Sequence, residues 1–93
     1  MNLKDKKVLI TGATGGIGSS LLKKFNGLGS TIVATGTNEN KLNNIKEKFP
    51  AIHVEKFQLS DHSKIEDFIE KIDKQLGRLD ILVNNAGITL DNL

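Results

Sequence analysis

Three features of this sequence predict an α/β fold built on a parallel sheet. Val8-Leu9-Ile10, Thr31 to Thr35 and Ile81-Leu82-Val83 are short runs with no polar alternation, or β-branched almost throughout, as expected of strands covered on both faces. Between them lie segments whose apolar residues recur at helical spacing. A glycine cluster stands directly behind the first run, where a strand has to turn sharply into a helix.

The first strand is predicted over residues 7 to 11. Ile17, Leu21, Leu22, Phe25 and Leu28 then form the stripe of a first helix, with Gly29 as its stop. Thr31 to Thr35, β-branched except for Ala34, makes the second strand. Asn38 caps a second helix with the stripe Leu42, Ile45 and Phe49, ended by Pro50. Ile52, Val54, Phe57 and Leu59 suggest a third strand, although the alternation slips at Glu55-Lys56. Ser63 and Glu66 have the spacing of a capping box, and Ile65, Phe68, Ile69, Ile72 and Leu76 give a clean helical face ending at Gly77. Asp80 leads into the fourth strand, which runs out at Asn84-Asn85-Ala86-Gly87.

The order βαβαβαβ, with right-handed crossovers, implies the first half of a Rossmann-like doubly wound sheet over residues 1–93. In that half sheet the fourth strand keeps an open apolar edge, so the chain by itself is expected to be aggregation-prone. With 93 residues the sequence has room for one domain.

Composition removes several function classes. The net charge of +2 comes from lysines spread along the chain, with only Lys6-Lys7 and Lys23-Lys24 adjacent, so no stripe for nucleic acid is expected. There is no cysteine, which excludes disulfides, thiolate metal sites and thiol nucleophiles, and which fits a cytoplasmic location. No apolar run is long enough for a signal peptide or a membrane span.

Thr11-Gly12-Ala13-Thr14-Gly15-Gly16-Ile17-Gly18 falls at the first strand-to-helix junction. Backbone N–H groups and the helix dipole there point at any bound anion, phosphate above all. Gly12 is read as turning out of the strand, Gly16 as letting a diphosphate approach the backbone, and Gly18 as letting the helix pack closely on the sheet. The other common phosphate loop requires Lys before the hydroxyl residue, whereas Gly18 precedes Ser19 here, which disfavours a P-loop nucleotidase.

The spacing Thr11-Gly12-x-x-x-Gly16-x-Gly18, together with Asn84-Asn85-Ala86-Gly87 at the end of the fourth strand, resembles the short-chain dehydrogenase/reductase family. The tail Asn84 to Leu93 is similar to bacterial 3-oxoacyl-[acyl-carrier-protein] reductases, with Leu90 where that group usually carries Arg. The resemblance implies dinucleotide contacts from Gly12, Ala13, Thr14, Gly15, Gly16, Ile17 and Gly18. It further implies adenine contacts from Gln58 and Leu59, with Asp61 as an alternative. Asn85, Ala86 and Gly87 would lie against the ribose and nicotinamide, while Asn84 pins the strand end.

The corner after the second strand, Thr35-Gly36-Thr37-Asn38, has no carboxylate to repel a 2′-phosphate. NADP(H) is therefore the preferred cofactor, with Thr37 as a phosphate contact or as a plain turn hydroxyl, and Lys41 close enough to add charge. Gly15 stands where related NADP enzymes often carry Arg, and Glu39 lies just past the corner.

Family members donate a proton from Tyr beside Lys, with Ser orienting the substrate. The chain has no tyrosine, and His53 and His62 read as surface residues, so no catalytic residue is assigned. The expected parent is an NADPH-dependent reductase of an acyl carrier protein-linked 3-oxoacyl substrate in fatty acid synthesis. Resemblance makes it a homotetramer, and the present chain a part that stops before the catalytic segment. A reductase of another carbonyl and a non-catalytic dinucleotide-binding module are the alternatives.

Overall fold

The computed structural model describes residues 2–57 and 62–85. The elements are β1 (Lys7–Thr11), α1 (Gly16–Gly27), β2 (Thr31–Gly36), α2 (Glu39–Lys48), β3 (His53–Lys56), α3 (His62–Leu76) and β4 (Ile81–Asn84). The strands form one parallel sheet in the order β3-β2-β1-β4. In the central register, Val8 stands between Ile32 and Ile81, and Ile10 between Ala34 and Val83.

The order explains where the helices go. Two crossovers of one hand carry the chain outward from β1 to β2 and β3, so α1 and α2 share a face. The third returns past β1 to β4, which puts α3 on the opposite face. Side chains sort accordingly, because successive strand residues point to opposite sides. Val8, Ile10, Ile32, Ala34 and Ile52 join Leu22 in one buried cluster, with Phe25, Ile45 and Phe49 packed against it. Leu9 and Val33 join Phe68 and Ile72 in the other.

The same parity resolves the third strand. Ile52 and Val54 face α1 and α2, whereas Phe57 faces α3 and stacks on Phe68, with ring centroids 4.0 Å apart. Glu55 shares that side and meets Lys71 of α3 at 3.4 Å. What read as a slip in alternation is a change in which face carries the apolar residue. The strand itself is shorter than expected, ending at Lys56, although the Phe57 amide still donates to Gly36 O.

The helix ends follow the expected chemistry. Asn38 accepts from the Lys41 amide at 3.0 Å, and Gly29 and Gly77 lie just beyond α1 and α3 at φ of 83° and 82°, where a Cβ is disfavoured. Ser63 of the proposed capping box has its side chain outside the described residues.

Two residues of the expected α1 stripe stand apart from it. Leu28 is the C-cap residue and is largely exposed, and Ile17 is 66% exposed. Leu82, the register partner of Leu9, is also exposed, on a strand that pairs only with β1 among the described residues.

The strand starts are tied at the end of the sheet opposite the glycine loop. Asp80 accepts from the Lys7 amide at 2.8 Å, its own amide donates to Lys7 O, and Arg78 Nε reaches its carboxylate at 3.0 Å. The Lys7 hydrogen bond, helped by Arg78, holds the Asp80 carboxyl below the usual carboxylate range. No described helix is long and apolar enough to cross a membrane.

Candidate functional site

Strand order reverses between β1 and β4, and in open parallel sheets the crevice outside the carboxyl ends of the strands at such a point is where ligands bind. The glycine loop leaves β1 there. Thr11, the last residue of β1, sets its Oγ1 3.0 Å from Asn84 Oδ1 and 3.3 Å from Val83 O. One residue further along each chain, Asn85 Nδ2 donates to Gly12 O at 3.0 Å. Asn84 thus pins the strand end as expected. Asn85 does so too, through its amide nitrogen, and braces the loop itself.

Within the loop each glycine has a separate reason. Gly12 has φ 62°, a left-handed conformation that glycine takes without steric cost. Gly18 is required by contact: a Cβ there would collide with Gly12 O and lie 2.7 Å from Ala13 Cα. The close packing permitted by Gly18 is therefore against the loop's own backbone rather than on the sheet as expected, because the first turn of α1 folds back over Gly12 and Ala13.

Gly15 and Gly16 differ. Among the described residues a Cβ on Gly16 would meet nothing within 4 Å, one on Gly15 only Gly12 O at 3.8 Å, and neither has positive φ. The fold tolerates a side chain at both places, so the space beside them is a cradle that a Cβ would begin to fill. That cradle opens at the head of α1, whose N-cap Gly15 supplies no side-chain cap. The first-turn amides of a helix have no partner within the helix, and together with its dipole they suit an anion. A dinucleotide's diphosphate fits this donor set, and Ile17, on the first turn of α1, is exposed.

Ala13 is buried, and its amide donates to Thr35 O at 2.9 Å, fastening the loop to β2. Ser19 Oγ donates to Ala13 O at 3.3 Å. Thr37 is exposed immediately after β2, next to the cap residue Asn38, and Lys41 is exposed on the first turn of α2. These stand at the same end of the sheet as the glycine loop. Gln58, Leu59, Asp61, Ala86 and Gly87 lie outside the described residues.

Sequence reasoning missed two contributors. Thr11 figures in the sequence only as part of the motif, whereas its hydroxyl is a link between β1 and β4. Gly36 was seen only as a residue of the corner, and it makes room for the side chain of Thr14. A glycine closing an otherwise β-branched strand was the available signal.

A parallel sheet whose order reverses beside a glycine loop places the molecule in the Rossmann-like class of α/β folds. Residues 6–93 match the family model described as short chain dehydrogenase, and the chain belongs to that family of oxidoreductases. It is 39% identical over 94 residues to the 3-oxoacyl-[acyl-carrier-protein] reductase FabG of Escherichia coli (strain K12), covering 100% of this chain and 38% of that protein. It is 38% identical over 88 residues to the uncharacterized oxidoreductase DltE of Bacillus subtilis (strain 168), covering 95% of this chain and 35% of that protein. The crystal structure of a short chain dehydrogenase from Mycobacterium smegmatis superposes with a TM-score of 0.82 at 29% identity, over 94% of this chain and 39% of that one. The chain thus spans well under half the length of the relatives it matches. Family membership implies a nicotinamide dinucleotide as cofactor.

Proposed function

We propose that the chain binds NADP(H), with the diphosphate on the loop from Gly12 to Gly18. Ala13, Thr14, Gly15, Gly16 and Ile17 line that loop, the adenosine lies toward Thr37, Gln58 and Leu59, and the nicotinamide end lies toward Asn85, Ala86 and Gly87. The observation that carries this reading is the empty space at Gly16. Neither its backbone angles nor its neighbours among the described residues require glycine, whereas close approach of a phosphate from outside does. The preference for NADP(H) over NAD(H) is supported by the corner Gly36-Thr37-Asn38, which offers hydroxyl and amide groups and no carboxylate. Fluorescence titration of the chain with NADPH and with NADH tests both parts. Tighter binding of NADH overturns the preference, and binding of neither overturns the site.

The whole protein is proposed to reduce a 3-oxoacyl group carried on acyl carrier protein, with NADPH supplying the hydride to the keto carbon. Support comes from the similarity to FabG, which spans the whole chain. The proton donor that the family resemblance implies is a tyrosine, and none lies among these 93 residues. The activity is accordingly proposed for the protein at the length of its relatives, as a homotetramer, and the 93-residue chain is expected to bind nucleotide without oxidising it. Another carbonyl substrate is the second reading, favoured by the near-equal identity to DltE. Steady-state NADPH oxidation with a 3-oxoacyl-acyl carrier protein thioester, set against sugar and quinone carbonyls, decides between them.

A further inference from the structure

Gly36, the last residue of β2, is a glycine for reasons of space. Its φ is not positive, yet a Cβ built on it would stand 2.7 Å from Thr14 Cγ2, 3.3 Å from Thr14 Oγ1 and 3.6 Å from Leu42 Cδ2. The Thr14 methyl therefore rests on the Gly36 backbone, in the place a side chain would take, with Leu42 of α2 beside it. One residue earlier in each segment, the Ala13 amide donates to Thr35 O at 2.9 Å. The glycine loop is thus held to the end of β2 by one backbone hydrogen bond and one side-chain wedge. The next residue after Gly36 is Thr37, where the corner begins.

We infer that the Thr14–Gly36 contact is a spacer that sets the distance between the diphosphate loop and the Thr37 corner, making Thr14 a positioning residue for discrimination at the adenosine 2′ position. The inference rests on the cofactor reading above. A bound dinucleotide has fixed bond lengths between its diphosphate and its 2′ group. If the diphosphate is seated on the loop, the loop-to-corner separation decides whether the 2′ group meets the Thr37 hydroxyl and the Asn38 region or stops short of them. The contacting atom is the Thr14 methyl, so its hydroxyl and its spacing function can be separated by substitution: serine keeps the hydroxyl and removes the 2.7 Å neighbour.

The test is a double-mutant cycle on the 93-residue chain, reading the ratio of NADPH to NADH affinity by fluorescence titration, with thermal unfolding as the control for folding. Gly36→Ala sets a Cβ against the Thr14 methyl and is expected to move the loop from the corner, and Thr14→Ser leaves the spacer slack. Each is expected to lower the ratio by roughly threefold or more, the low end of coupling between residues in contact. Thr14→Ser combined with Gly36→Ala moves the methyl from one side of the contact to the other and is expected to return the ratio to within about twofold of the unmodified chain. A purely structural role would reduce both affinities together and leave the ratio alone, and that result overturns the inference, as does failure of the pair to restore it. Should Gly36→Ala not fold, the pair decides: a folded pair with the original ratio supports the spacer, and an unfolded pair overturns it. If the unmodified chain binds neither nucleotide, the cofactor reading falls and takes this inference with it, whereas an unmoved ratio in chains that do bind removes the spacer alone.

Discussion

The side-chain amide of Asn85 and the carbonyl of Gly12, 73 positions apart in sequence, are joined by a 3.0 Å hydrogen bond. It ties the residue that follows β4 to the first residue of the glycine loop, so the shape of the loop depends on the fourth strand being in place.

Asn85→Ala removes that donor and leaves a partly buried carbonyl without it. Stability should fall by about 1 kcal/mol, read by urea denaturation. Affinity for NADPH and NADH should weaken by similar factors, since the loop meets the part common to both. Unchanged affinity would show that the loop holds its shape without the brace.

Gly16→Ala and Gly18→Ala should separate folding from binding. Alanine at 18 places its Cβ against the backbone of Gly12 and Ala13, and the expected cost is about 2 kcal/mol or more. Alanine at 16 meets no atom of the described residues within 4 Å, so its unfolding midpoint should match the parent while nucleotide affinity falls by about tenfold or more, the equivalent of about 1.4 kcal/mol. Full binding by the Gly16→Ala chain would contradict the placement of the diphosphate.

Thr35 is wholly buried, and its Oγ1 has no hydrogen-bond partner among the described residues. An unsatisfied buried hydroxyl is costly, and an apolar group of the same shape avoids the cost. Thr35→Val should therefore stabilise the chain by about 1 kcal/mol, seen as a higher denaturation midpoint. A lower midpoint would mean that the hydroxyl has a partner in solution, such as a buried water.

The Asp80 carboxyl is held below the usual carboxylate range, chiefly by the hydrogen bond from the Lys7 amide and then by Arg78. Between its folded and unfolded pKa values the unfolded chain binds more protons, so stability rises with pH in that window. The contribution is complete above the ordinary carboxylate pKa and is lost as pH falls through the folded value. Asp80→Asn should be less stable than the parent at neutral pH, and the difference should shrink under acid. Parallel stability curves for the two chains down to the acid limb would rule out this linkage.

Much of this was legible in the residues. Through-apolar runs such as Val8-Leu9-Ile10, helical stripes such as Phe68 with Ile72, and stops such as Gly29 and Gly77 are local signals, because strand and helix periods and positive φ act within a few residues. The third strand was read less well. The residues that decide it, Glu55 and Phe57, answer to α3 rather than to their sequence neighbours. Ile17 was placed in the helix stripe by its spacing, yet at the first turn of α1 it stands clear of the core.

For the candidate site, the spacing of Gly12 and Gly18 with Thr11 and Asn84-Asn85 marks the junction of β1, α1 and β4, since each of those residue types answers a steric or hydrogen-bonding need there. The sequence by itself determined the order of the elements, the glycine loop and the absence of a carboxylate at the corner. Only the tertiary structure decided which glycine serves the fold and which leaves room for a ligand, and that Thr14 rests on Gly36 and Asn85 on Gly12. Those are contacts between segments 22 and 73 residues apart, and they exist only once parallel pairing has brought the ends of β1, β2 and β4 together.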